Sequence, residues 1–328
     1  MITFLVPLLY IIFITLSLKN KNVFIIFLFL IPIIFFSTYR GTLGPDTENY
    51  IKIFNSFEIS DMELSIFSEP LFYSLIFISK KISGNVETFF FLSATLAVFL
   101  YALLINKYEC AKIFLLSIGP VFLVDTLTNG MRIGIAYQIL ALGLILNTNN
   151  KRLTIIASLF HISSIFYYLY TNLVNPIISK INRKSIILFS SFFCLLPFII
   201  YVIIKDPRIF EKINYYSNFN SPSIISGISD IYIIVVIALL SINRNCSTTT
   251  YVSKIILLIL VLVSFKIAAI FSYAILRLLK LVLLSTIVYF KNNDSSLLKN
   301  EKFLIIFLLI PYTTNFILYI YRNPELYL

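Results

Sequence analysis

Tyr39-Arg-Gly-Thr-Leu-Gly-Pro-Asp-Thr-Glu-Asn-Tyr50 opens the longest polar interval of the chain, which runs to Pro70 and carries Arg40, Asp46, Glu48, Lys52, Glu58, Asp61, Glu63 and Glu69. On both sides the sequence consists of apolar runs long enough to be membrane helices. An ionised side chain in hydrocarbon costs several kcal/mol, so these residues belong in water or in a polar cavity. We read the interval as the front of a polar site on one membrane face. The back wall would come from polar residues set in apolar surroundings: Arg132, Gln138, His161 and Arg277.

The composition agrees with that placement. Of 328 residues, 59% are hydrophobic and 12% charged, and the mean hydropathy is +0.94. A soluble chain carries about a quarter of its residues as charges, so this is an integral membrane protein, read as a single domain over 1–328. The net charge of +11 is spread singly and in small groups between apolar runs. That distribution fits positive-inside anchoring and contact with anionic lipid, and argues against nucleic acid as a partner. Cys110, Cys194 and Cys246 are far apart and show neither a disulfide framework nor metal-ligand spacing. The first apolar run lacks a basic leader and a cleavage site, so it reads as a span. The excess of Ile, Phe, Lys, Asn and Tyr suggests an AT-rich bacterial genome.

A span needs about 20 apolar residues. Candidates are 2–18, 23–38, 87–105, 112–127, 131–147, 152–173, 185–204, 228–242, 252–266, 270–290 and 303–320. Glu69-Pro70 begins a run to Ile78 that is too short to cross and reads as a half-helix with proline in its first turn. The fold class is therefore all-α, a polytopic transmembrane helix bundle of about 10–12 membrane helices, half-helices or re-entrant segments included. Placing the short-loop lysines and arginines inside requires that 70–83 and 152–179 do not cross, the latter turning back near His161. Polar loops 39–69 and 205–227 and both termini then lie outside.

Several residues could carry chemistry. Arg132 follows the tight turn at Asn129-Gly130, where Asp125 would join it at a membrane face. Its planar fork suits bidentate phosphate binding. Tyr273, Arg277 and Lys280 fall at helical spacing on one face, and an arginine so deep in an apolar run should face the bundle interior. His161 is the only histidine, and Ser158, Ser164 and Tyr168 would share its face on a continuous helix. With an ordinary pKa of about 6.5 it could draw a proton from a hydroxyl, or it could simply be a neutral core histidine. Asp46 and Glu48 could be catalytic carboxylates or loop charges, with Asp46 capping a helix from Thr47. No phosphate loop, zinc signature or nucleophile elbow is present.

Taken in order, Tyr39-Arg-Gly-Thr-Leu-Gly-Pro-Asp46 with Tyr50 and Phe54, Glu69-Pro70-Leu-Phe-Tyr, Asn129-Gly-Met-Arg132 with Ala136, Phe160-His161-x-Ser and Tyr273-x-x-x-Arg277 resemble the EpsG-like family of bacterial polysaccharide polymerases, relatives of the Wzy O-antigen polymerases. Ile133 stands where that family usually has glutamine, and Pro45 is inserted where it tends to run Gly-x-Asp. The resemblance implies a metal-independent, inverting glycosyltransferase in the bacterial plasma (inner) membrane. It would act on undecaprenyl-pyrophosphate-linked oligosaccharide at the outer face, with no cofactor. Arg132, Arg277 and Arg40 would bind pyrophosphate; His161, Asp46, Glu48 or Glu69 would supply the base; Tyr273, Lys280 and Gln138 would support them. Membrane lipids and a chain-length regulator protein are the implied partners. A lipid-linked oligosaccharide flippase and a membrane O-acyltransferase are the competing readings.

Overall fold

The computed structural model describes residues 22–41, 44, 46–58, 68–107, 123, 126–128, 130–146 and 150–165, with single positions 12, 13, 16 and 20. These residues form α1 (Val23–Thr38), α2 (Thr47–Ser56), α3 (Pro70–Ile82), α4 (Val86–Lys107), the one-turn α5 (Thr126–Thr128), α6 (Met131–Leu146) and α7 (Asn150–Phe160). Every element among the described residues is helical. Most of the spans expected at 2–18 and 112–127, and all those expected after 165, lie outside them.

α4 is the pillar. It is 22 residues long and, among the described residues, the one helix long and apolar enough to cross a membrane. α1 and α6 are shorter apolar helices of 16 residues each, or about 24 Å at 1.5 Å per residue. α1, α3, α5 and α6 all pack on α4. Phe27 meets Phe99 edge-on with ring centroids 6.2 Å apart, and Arg40, just past α1, lies over the Phe90 ring. Those two contacts make α1 and α4 antiparallel. The buried positions of α4 include the small residues Ser93, Ala94, Ala97 and Ala102 alongside the large rings of Phe89, Phe90 and Tyr101. Small side chains let helix axes approach closely where apolar burial gives no net drive for association.

α6 and α7 form an antiparallel pair. A Cβ on Gly143 would lie 2.7 Å from a Leu153 methyl, so the leucine side chain packs directly onto the α6 backbone there. Gly134 is tighter still: a Cβ on it would collide with the Thr126 side chain of α5. This packing returns the C-terminal end of α7 to the level at which α6 begins. The N-terminal ends of α3, α4 and α6 and the C-terminal end of α7 therefore lie at one end of this helical unit.

α3 begins at Pro70, as the sequence indicates, but runs on through Lys80 and Lys81 to Ile82. Lysine is a good helix former and its charge complements a helix C-terminus, so the pair extends the helix where the apolar pattern alone predicts an end. Gly84, at φ +71°, terminates it, with the Gly84 N–H donating to the Ser79 carbonyl. Lys80 Nζ donates to the Phe57 carbonyl at 2.7 Å and lies 5.3 Å from the Phe54 ring centroid, pinning the end of α2 onto α3. We expect Lys80→Met to cost about 1–2 kcal/mol in thermal unfolding of the detergent-solubilised protein. Lys81→Met, at an exposed position, should cost almost nothing.

Candidate active site

Three helix ends meet at Glu69. It precedes α3 and is buried, with its side chain 8% exposed, while Arg132 in the first turn of α6 donates from Nη1 to its Oε2 at 2.6 Å. The other carboxylate oxygen, Oε1, lies 3.8 Å from Nε2 of His161 at the end of α7. The pair is 63 residues apart in sequence, and only the packing of α3, α6 and α7 brings it together. A guanidinium–carboxylate bond of this length is charge-assisted and strongly oriented.

Glu69 has φ 53° and ψ 55°, the only positive φ outside glycine among the described residues. A side-chain-bearing residue in this region is strained by roughly 1–2 kcal/mol, and such strain gathers at functional positions. The proline that follows lacks an N–H and suits the first turn of α3, while the turned backbone aims the carboxylate at Arg132.

Aromatic rings make the floor. The Arg132 guanidinium carbon sits 5.2 Å from the Phe72 ring centroid and 6.0 Å from that of Tyr50. The two rings are themselves 5.8 Å apart, and Phe89 packs edge-on against Phe72. The Tyr50 phenol lies within the field of the Arg132 charge. Burial pushes the Tyr50 phenol above its ordinary pKa and the nearby Arg132 charge partly offsets this, while Asp46 adds to the rise. Tyr50 is thus a neutral phenol at physiological pH. Arg132 keeps 31% of its side chain exposed and has five N–H donors to distribute, so it can hold Glu69 and still reach an incoming anion.

The helix of α7 stops at Phe160, so His161 does not share a continuous helical face with Ser164 as the spacing suggests, and Tyr168 lies outside the described residues. The chain turns instead, with Ser164 N–H donating to the His161 carbonyl. Ser163 becomes the ring's neighbour: its backbone N–H donates to His161 Nδ1 at 3.2 Å, and its Oγ lies 2.8 Å from the same nitrogen. The mark of this break in the sequence is the cluster His161-Ile-Ser-Ser164 inside an apolar run. Residues 166–179, the rest of the segment read as turning back near His161, lie outside the described residues.

The remaining candidates are spread out. Arg40 is buried, its guanidinium 4.1 Å from the Phe90 centroid and its Nη2 3.8 Å from Met131 Sδ, one residue before Arg132. Asp46 stands at the start of α2 without making the side-chain capping bond and acts electrostatically on Tyr50. Glu48 is exposed on the opposite face of α2. Gln138 is fully buried in α6, well past its first turn. Arg277, Tyr273, Lys280, Asp125 and Asn129 lie outside the described residues. Phe72 and Ser163 stand in the quoted Glu69-Pro70-Leu-Phe-Tyr and Phe160-His161-x-Ser motifs, but sequence reasoning gave neither a role at the site.

A comparison with family models matches residues 22–327 to the EpsG family. No curated protein matches the chain, and no solved structure does.

Proposed function

The chain belongs to the EpsG family of polysaccharide polymerase-like membrane proteins, and on that premise we propose that it is a membrane glycosyltransferase. It polymerises undecaprenyl-pyrophosphate-linked oligosaccharide repeat units of an O-antigen, capsule or exopolysaccharide at the outer face of the bacterial plasma membrane. The observation that carries the proposal is the Glu69–Arg132 ion pair with His161 beside it, at one end of the helices.

In this reaction a sugar hydroxyl of one lipid-linked unit attacks the anomeric carbon of the chain on another. The carbon–oxygen bond to pyrophosphate breaks, and undecaprenyl pyrophosphate leaves with the electron pair. One displacement inverts the anomeric configuration. Negative charge grows on the leaving oxygen, so fixed cations aimed at it lower the barrier without reorganising. Arg132 is placed for that role. Arg40, reached through Met131, and Arg277 are the further cations the charge calls for. The hydroxyl proton passes to the Glu69–His161 pair. Guanidinium groups supply the positive charge, so the scheme needs no metal and no nucleotide-sugar.

The deciding experiment uses purified protein in proteoliposomes with the lipid-linked unit accumulated by a strain lacking this chain. A ladder of multiples of the unit, with release of undecaprenyl pyrophosphate, is the expected result. Movement of the unit between leaflets without a ladder would make the protein a flippase. Topology gives an independent check. In a background without the native cysteines, Asp46→Cys should react with a membrane-impermeant thiol reagent added outside intact cells, and Lys107→Cys only after permeabilisation. Labelling of position 46 from the cytoplasm would overturn the outer-face assignment.

A further inference from the structure

The proton's destination can be read from one backbone amide. A backbone N–H can only donate, so the Ser163 N–H at 3.2 Å from His161 Nδ1 requires that nitrogen to be the acceptor. The ring proton of neutral His161 is then on Nε2, the atom that faces Glu69 Oε1 across 3.8 Å. That spacing is longer than a hydrogen bond, but an oxygen set to one side of the line joining the two atoms can lie about 2.8 Å from both and bridge them. It would have a donor on one side and an acceptor on the other, as a hydroxyl needs. A phosphate oxygen at the same place would meet the carboxylate and be repelled.

We propose that the gap between His161 Nε2 and Glu69 Oε1 is the binding site for the attacking sugar hydroxyl, with Glu69 the base, His161 the hydrogen-bond donor that orients the oxygen, and Ser163 the positioning residue that fixes the ring. This rests on the glycosyl-transfer reading above. The hydroxyl accepts from Nε2–H and donates to Oε1. As its oxygen bonds to the anomeric carbon, its proton moves to Oε1 and the sugar–pyrophosphate bond breaks. Glu69 ends protonated and returns its proton to water or to the departed pyrophosphate. His161 keeps its proton throughout.

Because His161 is the only histidine, labelling the protein with nitrogen-15 histidine reports this single ring. In the full chain in lipid nanodiscs at neutral pH, the neutral ring should show a protonated Nε2 and an unprotonated Nδ1. Ser163→Ala, which keeps the amide but loses the hydroxyl, should raise the other tautomer's share several-fold, and Ser163→Thr should restore the original balance. In the polymerisation assay, His161→Gln retains an N–H donor and should lose about tenfold in turnover. Glu69→Gln should lose about a thousandfold, in the range for removing a general base. A ring protonated on Nδ1 overturns the assignment, as does a His161→Gln enzyme as inactive as Glu69→Gln. Tautomer populations that ignore Ser163→Ala remove the Ser163 hydroxyl from it and leave the ring to the amide that alanine keeps. Failure of wild type to make a ladder would sink the polymerase reading while the ring spectrum still reported the hydrogen bonds, so the two failures are distinguishable.

Discussion

Arg132→Ala should leave cells with single repeat units and no polymer, with the protein still inserted in the membrane. Losing one oriented donor at a charge-developing oxygen costs about a hundredfold to a thousandfold in turnover, enough to remove a ladder that depends on many successive additions. The substitution also leaves the Glu69 carboxylate buried without its ion partner, a penalty of roughly 1–3 kcal/mol, so instability could mimic the result. The melting temperature and membrane yield of Arg132→Ala separate the two effects: a protein that inserts and melts near wild type yet makes no polymer has lost chemistry, and polymer from Arg132→Ala would dismiss the arginine from it. Arg132→Lys should rescue poorly, because one ammonium cannot replace a planar fork that holds Glu69 and an anion together. Arg277→Ala is expected to share the phenotype of Arg132→Ala.

The second large effect is structural. Any side chain on Gly134 meets the oxygen, methyl and Cβ of Thr126, and Thr126 is itself buried. Gly134→Ala should therefore force α5 and α6 apart at a cost of about 1–3 kcal/mol, seen as a lower melting temperature and poor recovery of monodisperse protein in detergent. Thr126→Gly in the same chain should recover most of the loss. If Gly134→Ala alone melts like wild type, this helix contact is not as close as described. Polymer should fall with it, since Gly134 lies two residues beyond Arg132 in the first turns of α6.

The helices legible from sequence were those that owe their existence to a single long apolar run. α1 matches the run at 23–38, and α4 extends the run at 87–105 by only a residue or two at each end. The start of α3 was legible too, because proline marks it, whereas its end was obscured by two lysines that stop an apolar pattern without stopping a helix. Arg132 and His161 stand out as polar residues in apolar surroundings and Glu69 as the last acid of the polar interval, but nothing local says that they meet. Their pairing depends on tertiary contacts between α3, α6 and α7. Ser163 stands in the Phe160-His161-x-Ser motif, but its contact with the histidine ring was hidden for a different reason. Reading Ser158, His161 and Ser164 by helical spacing assumes an unbroken helix, and the break after Phe160 hands the ring to a different serine. Arg40 was visible as a charge, but its burial against Phe90 and Met131 comes from the antiparallel seating of α1 on α4.

The left-handed backbone at Glu69 has a practical consequence for engineering. Glycine or asparagine would sit there with less conformational cost, so a screen for heat tolerance alone could drift toward replacements that relax the loop and silence the enzyme. Directed evolution of this scaffold therefore needs product formation as a second selection at every round, or position 69 must be withheld from the library.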